Sequence, residues 1–186
     1  MNRILSLLCP SRYVRSVCDI SPVELREQGV SAILIDLDNT LVAWRGYEIL
    51  PEIKDWLDSV RKNQLKVCIV SNTRYARRLQ QLAGELGVPF VNGTMKPRRG
   101  GFLEAIRLLG CGLNDVVVVG DQIFTDILGG NRLGLCTILV KPLSRREFVG
   151  TKISRIAERL LLWLLKKWGL LRCEVANDPP AAGTLP

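Results

Sequence analysis

Histidine is missing altogether from the 186-residue chain. That absence removes Ser-His-Asp and Cys-His sites, histidine-ligated metals and a histidine general base in one step. Cysteine is scattered: Cys9, Cys18, Cys68, Cys111, Cys136 and Cys173 form no Cys-x-x-Cys pair. The pattern predicts neither a disulfide framework nor a zinc cluster but a reduced, cytoplasmic chain, with Cys68 and Cys136 filling buried strands. Long hydrophobic runs are also lacking. The stretch LLLWLL, Leu160 to Leu165, is far short of the ~20 residues a spanning helix needs. Near the N-terminus a short apolar stretch is closed by Pro10, which does not read as an export signal.

What the chain has is apolar content and positive charge. A 47% hydrophobic composition suffices for one buried core. Lys and Arg number 26 against 18 Asp and Glu, a formal charge of +8, which favours anionic partners. Nucleic acid would account for the charge alone, because no recognition motif accompanies it.

Apolar runs at Ala32–Asp36, Lys66–Ser71, Pro89–Asn92, Asp115–Gly120 and Cys136–Val140 alternate with helical spacing over Pro51–Lys62, Arg74–Leu86, Arg98–Leu109 and Gln122–Arg132. Continuous apolar strands are covered on both faces. The expectation is an α/β fold with a doubly wound, parallel five-stranded sheet. Residues 1–150 form this domain, 151–171 an amphipathic helix, and 172–186, rich in Pro and Ala, a disordered tail. On the helix, Ile153, Ile156, Leu160, Leu164 and Trp168 share a stripe. It either docks on the domain or lies on anionic lipid with Trp163 and Trp168 at headgroup depth.

In doubly wound sheets, ligands bind beyond the carboxyl ends of the strands. The out-of-place polar residues fall there: Asp36 and Asp38 in ILIDLDNTLV, Ser71 and Asn72 in VSN, Lys96, and Asp121 with Asp126 in GDQIFTD. Four carboxylates gathered at one edge call for a hard cation, and without histidine the oxygen donors suit Mg²⁺. Mg²⁺, Lys96 and the Ser71 hydroxyl would receive a tetrahedral phosphate, with one Asp as nucleophile and the other as acid and base. Asn72 and Thr73 either bind phosphate or cap the next helix, and Asn39 and Thr40 either brace the loop or touch the site. For Asp126 the alternative is a carboxylate at a helix start. Trp44 and Tyr47 form a flap or cover the sheet edge.

In this order and at these strand ends, IDLDNT, VSN, KP and GDQIFTD resemble the haloacid dehalogenase-like (HAD) phosphohydrolases. The resemblance implies Asp36 as nucleophile, Asp38 as acid/base, Ser71 and Lys96 on phosphate, and Asp36, Asp121 and the Asp38 carbonyl on Mg²⁺, supported by Asp126. DLDNTLV, IVSN, GDQIFTDILGGNRLG and SRREFVGTKISRIAERLLL are similar to the YqeG family of capless HAD phosphatases. That family is similar in turn to mitochondrial phosphatidylglycerophosphate phosphatases, and implies a lipid substrate met at the inner face of a membrane. Those lipid phosphatases carry Lys between the two aspartates, where this chain has Leu37. Only about one helix of chain separates Thr40 from Ser71, and Ser71 from Lys96, too little for a lid domain. An open site suits a phosphate on a bulky carrier. Arg98 and Arg99, beside Lys96, are candidates for a neighbouring phosphodiester; they and Arg74, Arg77 and Arg78 could equally be a solvated face. The rival functions are a soluble phosphatase of a small ester or phosphoprotein, and a non-catalytic RNA- or ribosome-associated protein.

Overall fold

In a computed structural model, residues 3–144 and 149–171 are described, with side chains from 5 to 144 and from 156 to 171. The tail expected at 172–186 and the side chain of Ile153 lie outside the described residues. The elements run α1 (Arg3–Leu8), β1 (Arg12–Val14), α2 (Pro22–Glu27), β2 (Ala32–Ile35), α3 (Pro51–Lys62), β3 (Lys66–Ser71), α4 (Ala76–Leu86), β4 (Phe90–Asn92), α5 (Gly100–Leu109), β5 (Val116–Gly120), a π-helical turn (Ile123–Ile127), α6 (Leu128–Asn131), β6 (Cys136–Val140) and α7 (Val149–Lys167).

The sheet is wholly parallel, in the order β1-β6-β5-β2-β3-β4. It has six strands, one more than the apolar runs predict. The extra strand is β1, a three-residue edge strand pairing Arg12, Tyr13 and Val14 with Ile138, Leu139 and Val140. So short a segment has no apolar run of its own, and pairing with β6 makes it a strand.

Alternate residues of each strand enter opposite cores. Ile33, Ile35, Val67, Ile69, Val117 and Val119 pack with Ile53, Leu57, Leu79 and Leu82 of α3 and α4. Ala32, Leu34, Cys68, Val70, Val116 and Val118 pack with Phe102, Ala105 and Ile106 of α5. Each fully buried Val, Leu or Ile contributes roughly 1.5–3 kcal/mol, so both faces hold the sheet rigid behind the site. Cys68 lies in this core, where burial pushes its thiol up to about 12. Cys136, expected inside, is exposed at the start of β6. The five described cysteines are free thiols.

Winding reverses between β2 and β5. From β2 the chain proceeds outward to β3 and β4, then returns to place β5 on the other flank of β2. Single helices, α3 and α4, make the two crossovers outward from β2, and among the described residues no cap domain covers the carboxyl edge.

α7 docks by a different face from the expected stripe. Leu161 and Leu162 pack with Ile123, Ile127 and Leu139, and Leu165 and Glu158 are buried. Ile156, Leu160, Trp163 and Trp168 all remain more than half exposed. Among the described residues no helix is long and apolar enough to cross a membrane.

Candidate active site

Asp36 follows β2 and Asp121 follows β5, the two strands that flank the reversal. The Asp36 amide still donates to Val119 O at 2.9 Å, so the sheet ladder fixes its backbone. Carboxylate oxygens of Asp36, Asp121 and Asp126 lie within 4.8 Å of one another, all buried. Three anions this close in a dry setting need cations, and oxygen donors alone suit a hard ion such as Mg²⁺.

Lys96 supplies one of those charges. Its ammonium donates to Asp36 Oδ1 at 2.5 Å, to Asp126 Oδ1 at 2.7 Å and to Val70 O at 2.7 Å, using all three protons. Burial alone would lower the lysine pKa, but Asp126 and Asp36 hold it above the ordinary value. Burial drives the Asp36 carboxyl the other way, up to about 7, against the pull of Lys96 and with the push of Asp126.

Local devices aim these groups. Asn72 Oδ1 accepts from the Lys96 amide (2.8 Å) and the Thr94 hydroxyl (2.7 Å), while its Nδ2 donates to Lys96 O (3.1 Å). Asn72 therefore ties β3 to the lysine loop, and α4 begins at Ala76 after an N-cap, Tyr75, that makes no side-chain cap. Ser71 Oγ, buried at the end of β3, accepts from the Thr73 amide at 3.1 Å. Asp126 sits in the π-helical turn, where its Oδ2 accepts from the Gln122 amide at 3.2 Å and the Thr125 hydroxyl at 3.3 Å. A β-carbon on Gly120 would fall 2.4 Å from Asp126 Cγ. Only glycine there lets the carboxyl fold back over β5 toward Lys96.

Asp38 faces a different partner. Its Oδ2 accepts from Arg78 Nη1 at 3.2 Å, its Oδ1 lies 3.0 Å from Arg78 Nη2, and Oδ1 accepts from the Arg45 amide at 3.1 Å. Arg78 is buried, and its Nε donates to Gly46 O at 2.9 Å. Asn39, at φ +64°, braces this loop. Its Oδ1 accepts from the Trp44 amide and from the Ser144 amide and hydroxyl.

A cavity of about 410 Å³ opens over these groups. Asp36, Asp38, Asn39, Ser71, Asn72 and Lys96 line its floor, and Trp44, Arg45, Arg74 and Tyr75 are among its other walls. Trp44 is thus at the cavity, whereas Tyr47 stands outside it with its ring 5.7 Å from the Arg78 guanidinium. Arg98 and Arg99 are exposed at the start of α5 and do not line it.

Two residues outside the motifs shape the site. Arg78 was legible only as part of a basic cluster, yet it shares the buried face of α4 with Leu79, Leu82 and Leu86. An arginine four and eight residues before leucines, on their own stripe, was the available signal. Glu158 is the second. It is the one acidic residue of α7, is 3% exposed, and its Oε1 accepts from the Ile123 amide at 2.8 Å and the Phe124 amide at 3.3 Å. It thereby satisfies open N–H groups at the start of the turn carrying Asp126.

A doubly wound sheet with paired aspartates after its first central strand, a buried lysine and an acidic turn after β5 defines a class. The chain belongs to the haloacid dehalogenase-like hydrolases, whose family model matches residues 20–134, and is an enzyme of the phosphatase kind within them. It is 38% identical over 165 residues to "Probable phosphatase YqeG" of Bacillus subtilis, covering 89% of this chain and 95% of that protein. It is 32% identical over 152 residues to "Phosphatidylglycerophosphate phosphatase 1, chloroplastic/mitochondrial" of Arabidopsis thaliana, covering 77% of this chain and 43% of that longer protein. In fold it is similar to the crystal structure of an uncharacterized protein from Listeria monocytogenes, with a TM-score of 0.52 and 20% identity over 74% of this chain and 99% of that one.

Proposed function

We propose that the protein is a Mg²⁺-dependent phosphomonoesterase that acts through an aspartyl-phosphate on Asp36, with phosphatidylglycerophosphate as substrate. The observation that carries the reaction is the buried Asp36–Lys96–Asp126 network with Asp121 beside it. Asp36 Oδ attacks phosphorus, the ester P–O bond breaks, and Asp38 gives its proton to the departing alkoxide oxygen. Asp38 then takes a proton from the water that attacks the acyl phosphate, returning Asp36 and releasing inorganic phosphate. The Ser71 hydroxyl donates to a non-bridging oxygen and the positive charge of Lys96, turned from one of its present acceptors, attracts another, while Arg78 keeps Asp38 aimed at the leaving group. Asp36, Asp121 and the Asp38 carbonyl would hold Mg²⁺, with Asp126 behind them. The ion would neutralise charge on the carboxylates and on the phosphoryl oxygens.

The lipid substrate is favoured by the name of the Arabidopsis relative and by the uncovered sheet edge. The exposed Ile156, Leu160 and Trp163 of α7 and Trp168 just after it, with Arg159, Lys166 and Lys167 also exposed, favour peripheral attachment to anionic lipid at the inner face of a membrane. In this division of labour, residues 1–150 carry the chemistry and 151–171 the lipid contact.

The test is Mg²⁺-dependent phosphate release from phosphatidylglycerophosphate in mixed micelles, with Asp36→Asn and glycerol 3-phosphate as comparisons. Lipid-selective release that disappears in Asp36→Asn is expected. Release from soluble esters alone would leave the mechanism and discard the lipid. No Mg²⁺-dependent release from any ester would discard both.

A further inference from the structure

The cavity is electrically divided. Among the residues lining it the only acids are Asp36 and Asp38, both on the floor, while Arg45 and Arg74 stand on its wall. Neither guanidinium forms an ion pair with a carboxylate among the described residues, unlike Lys96 and Arg78. Two arginines that line a cavity without a carboxylate partner attract an anion there.

Arg45 is also held in place. Its guanidinium lies 4.5 Å from the Trp44 ring centroid and 5.0 Å from that of Tyr75, a sandwich that restricts an otherwise flexible side chain. Its backbone takes φ +57°, a left-handed conformation costly for a residue with a Cβ. The turn is secured on both sides, by Asn39 Oδ1 on the Trp44 amide and by Arg78 Nε on Gly46 O. The Arg45 amide donates to Asp38 Oδ1, so this guanidinium begins one side-chain length from the acid that meets the leaving oxygen.

We propose that Arg45, assisted by Arg74, is a subsite for a second anionic phosphate carried on the leaving group, so that the enzyme selects phosphomonoesters bearing a phosphodiester a few bonds away. The inference rests on the phosphatase reading above, and it assigns the second phosphate to this wall rather than to Arg98 and Arg99. A stacked guanidinium fits the flat, two-oxygen face of a phosphodiester better than a lysine would.

The experiment compares kcat/KM for three esters: glycerol 3-phosphate, the deacylated head group glycerophosphoglycerophosphate, and the intact lipid in micelles. Wild type, Arg45→Ala, Arg45→Lys and Arg98→Ala are assayed in parallel. Wild type should prefer the head group over glycerol 3-phosphate. Arg45→Ala should shrink that preference on the order of ten-fold, through KM, Arg45→Lys should restore part of it, and Arg98→Ala should leave the ratio at the wild-type value. An unchanged ratio in Arg45→Ala, or a loss that follows Arg98 instead, overturns the proposal. A loss confined to micellar lipid also overturns it, because Arg45 would then be reading the membrane surface. If wild type hydrolyses none of the esters, the phosphatase reading fails by itself. Calorimetric binding of the head group still decides the subsite: tighter binding than glycerol 3-phosphate that weakens in Arg45→Ala supports it, and equal binding overturns it.

Discussion

Replacing Lys96 with methionine keeps the length of the side chain and removes its charge. The ammonium lies 2.5 Å from Asp36 Oδ1 and 2.7 Å from Asp126 Oδ1, and its side chain is 3% exposed. Water cannot take over the role. Removing one partner of a buried ion pair typically costs about 3–5 kcal/mol, because the other charge is left without compensation. Here two carboxylates lose their cation and Val70 O loses its donor, so the upper part of that range is expected in a chelator at neutral pH. At a denaturant slope of roughly 2 kcal/mol per molar urea, the midpoint should fall by about 2 M. Added Mg²⁺ should recover part of the loss, since it offers charge to the same oxygens. Lowering the pH should also narrow the gap, by protonating the abandoned carboxyls. The assay is urea unfolding followed by tryptophan fluorescence, with EDTA or Mg²⁺. Coincident midpoints for Lys96→Met and wild type in EDTA would refute the reasoning, since the network would then be open to solvent.

Burial sets the Asp36 pKa near 7 in the folded chain against an ordinary 3.8. Its stabilising proton is fully retained below about pH 4 and lost as the pH rises through 7, up to about 4 kcal/mol in the absence of metal; melting curves in EDTA should show this slope flattened in Asp36→Asn. Arg78→Ala should slow hydrolysis of glycerol esters by roughly 10²-fold, the usual worth of a positioned general acid. Because p-nitrophenoxide leaves without a proton, the first step with p-nitrophenyl phosphate, read as a burst of p-nitrophenolate, should suffer far less, while water attack on the shared acyl phosphate slows for both esters; an equal loss in the first step on both esters would contradict the positioning role. Gly120→Ala places a carbon 2.4 Å from Asp126 Cγ, so a loss of about 1–3 kcal/mol in urea unfolding is expected, typical of overpacking. Turnover should fall with it.

The fold was legible wherever one segment carried its own signal. Strands such as Val116–Gly120 are apolar on both faces because helices cover both, and that pattern appears in any window that contains them. α3 has the predicted bounds, Pro51–Lys62, since its start is marked by Pro51 and its last turn by Arg61 and Lys62. β1 was not legible, because Arg12-Tyr13-Val14 is a strand only through a partner more than a hundred residues away. The stretch expected as one helix over Gln122–Arg132 is a π-helical turn followed by a short helix. Part of that turn's hydrogen bonding is supplied by Glu158, which a local window cannot contain.

The same division separates the parts of the candidate site. Asp36, Ser71, Lys96 and Asp121 were visible as polar residues where parallel strands end, the one place where a buried charge has a reason to be. Asp38 was visible too, but its partner was not. Arg78 reaches it across the sheet edge from a helix whose neighbouring arginines, Arg74 and Arg77, are exposed, so composition merges three arginines that the structure gives different surroundings. Arg78 is buried against Asp38, Arg74 lines the cavity, and Arg77 does neither. Arg98 and Arg99 are close to Lys96 in the chain, but chain adjacency is a poor guide past a turn. Lys96 points inward to Asp36, while the next two residues but one, Arg98 and Arg99, lie exposed outside the cavity. Arg45 is far from Lys96 in sequence, and its amide touches Asp38. Charge therefore has to be counted along the walls of the cavity, and on that count the cations that line it besides Lys96 come from the loop after β2 and the approach to α4.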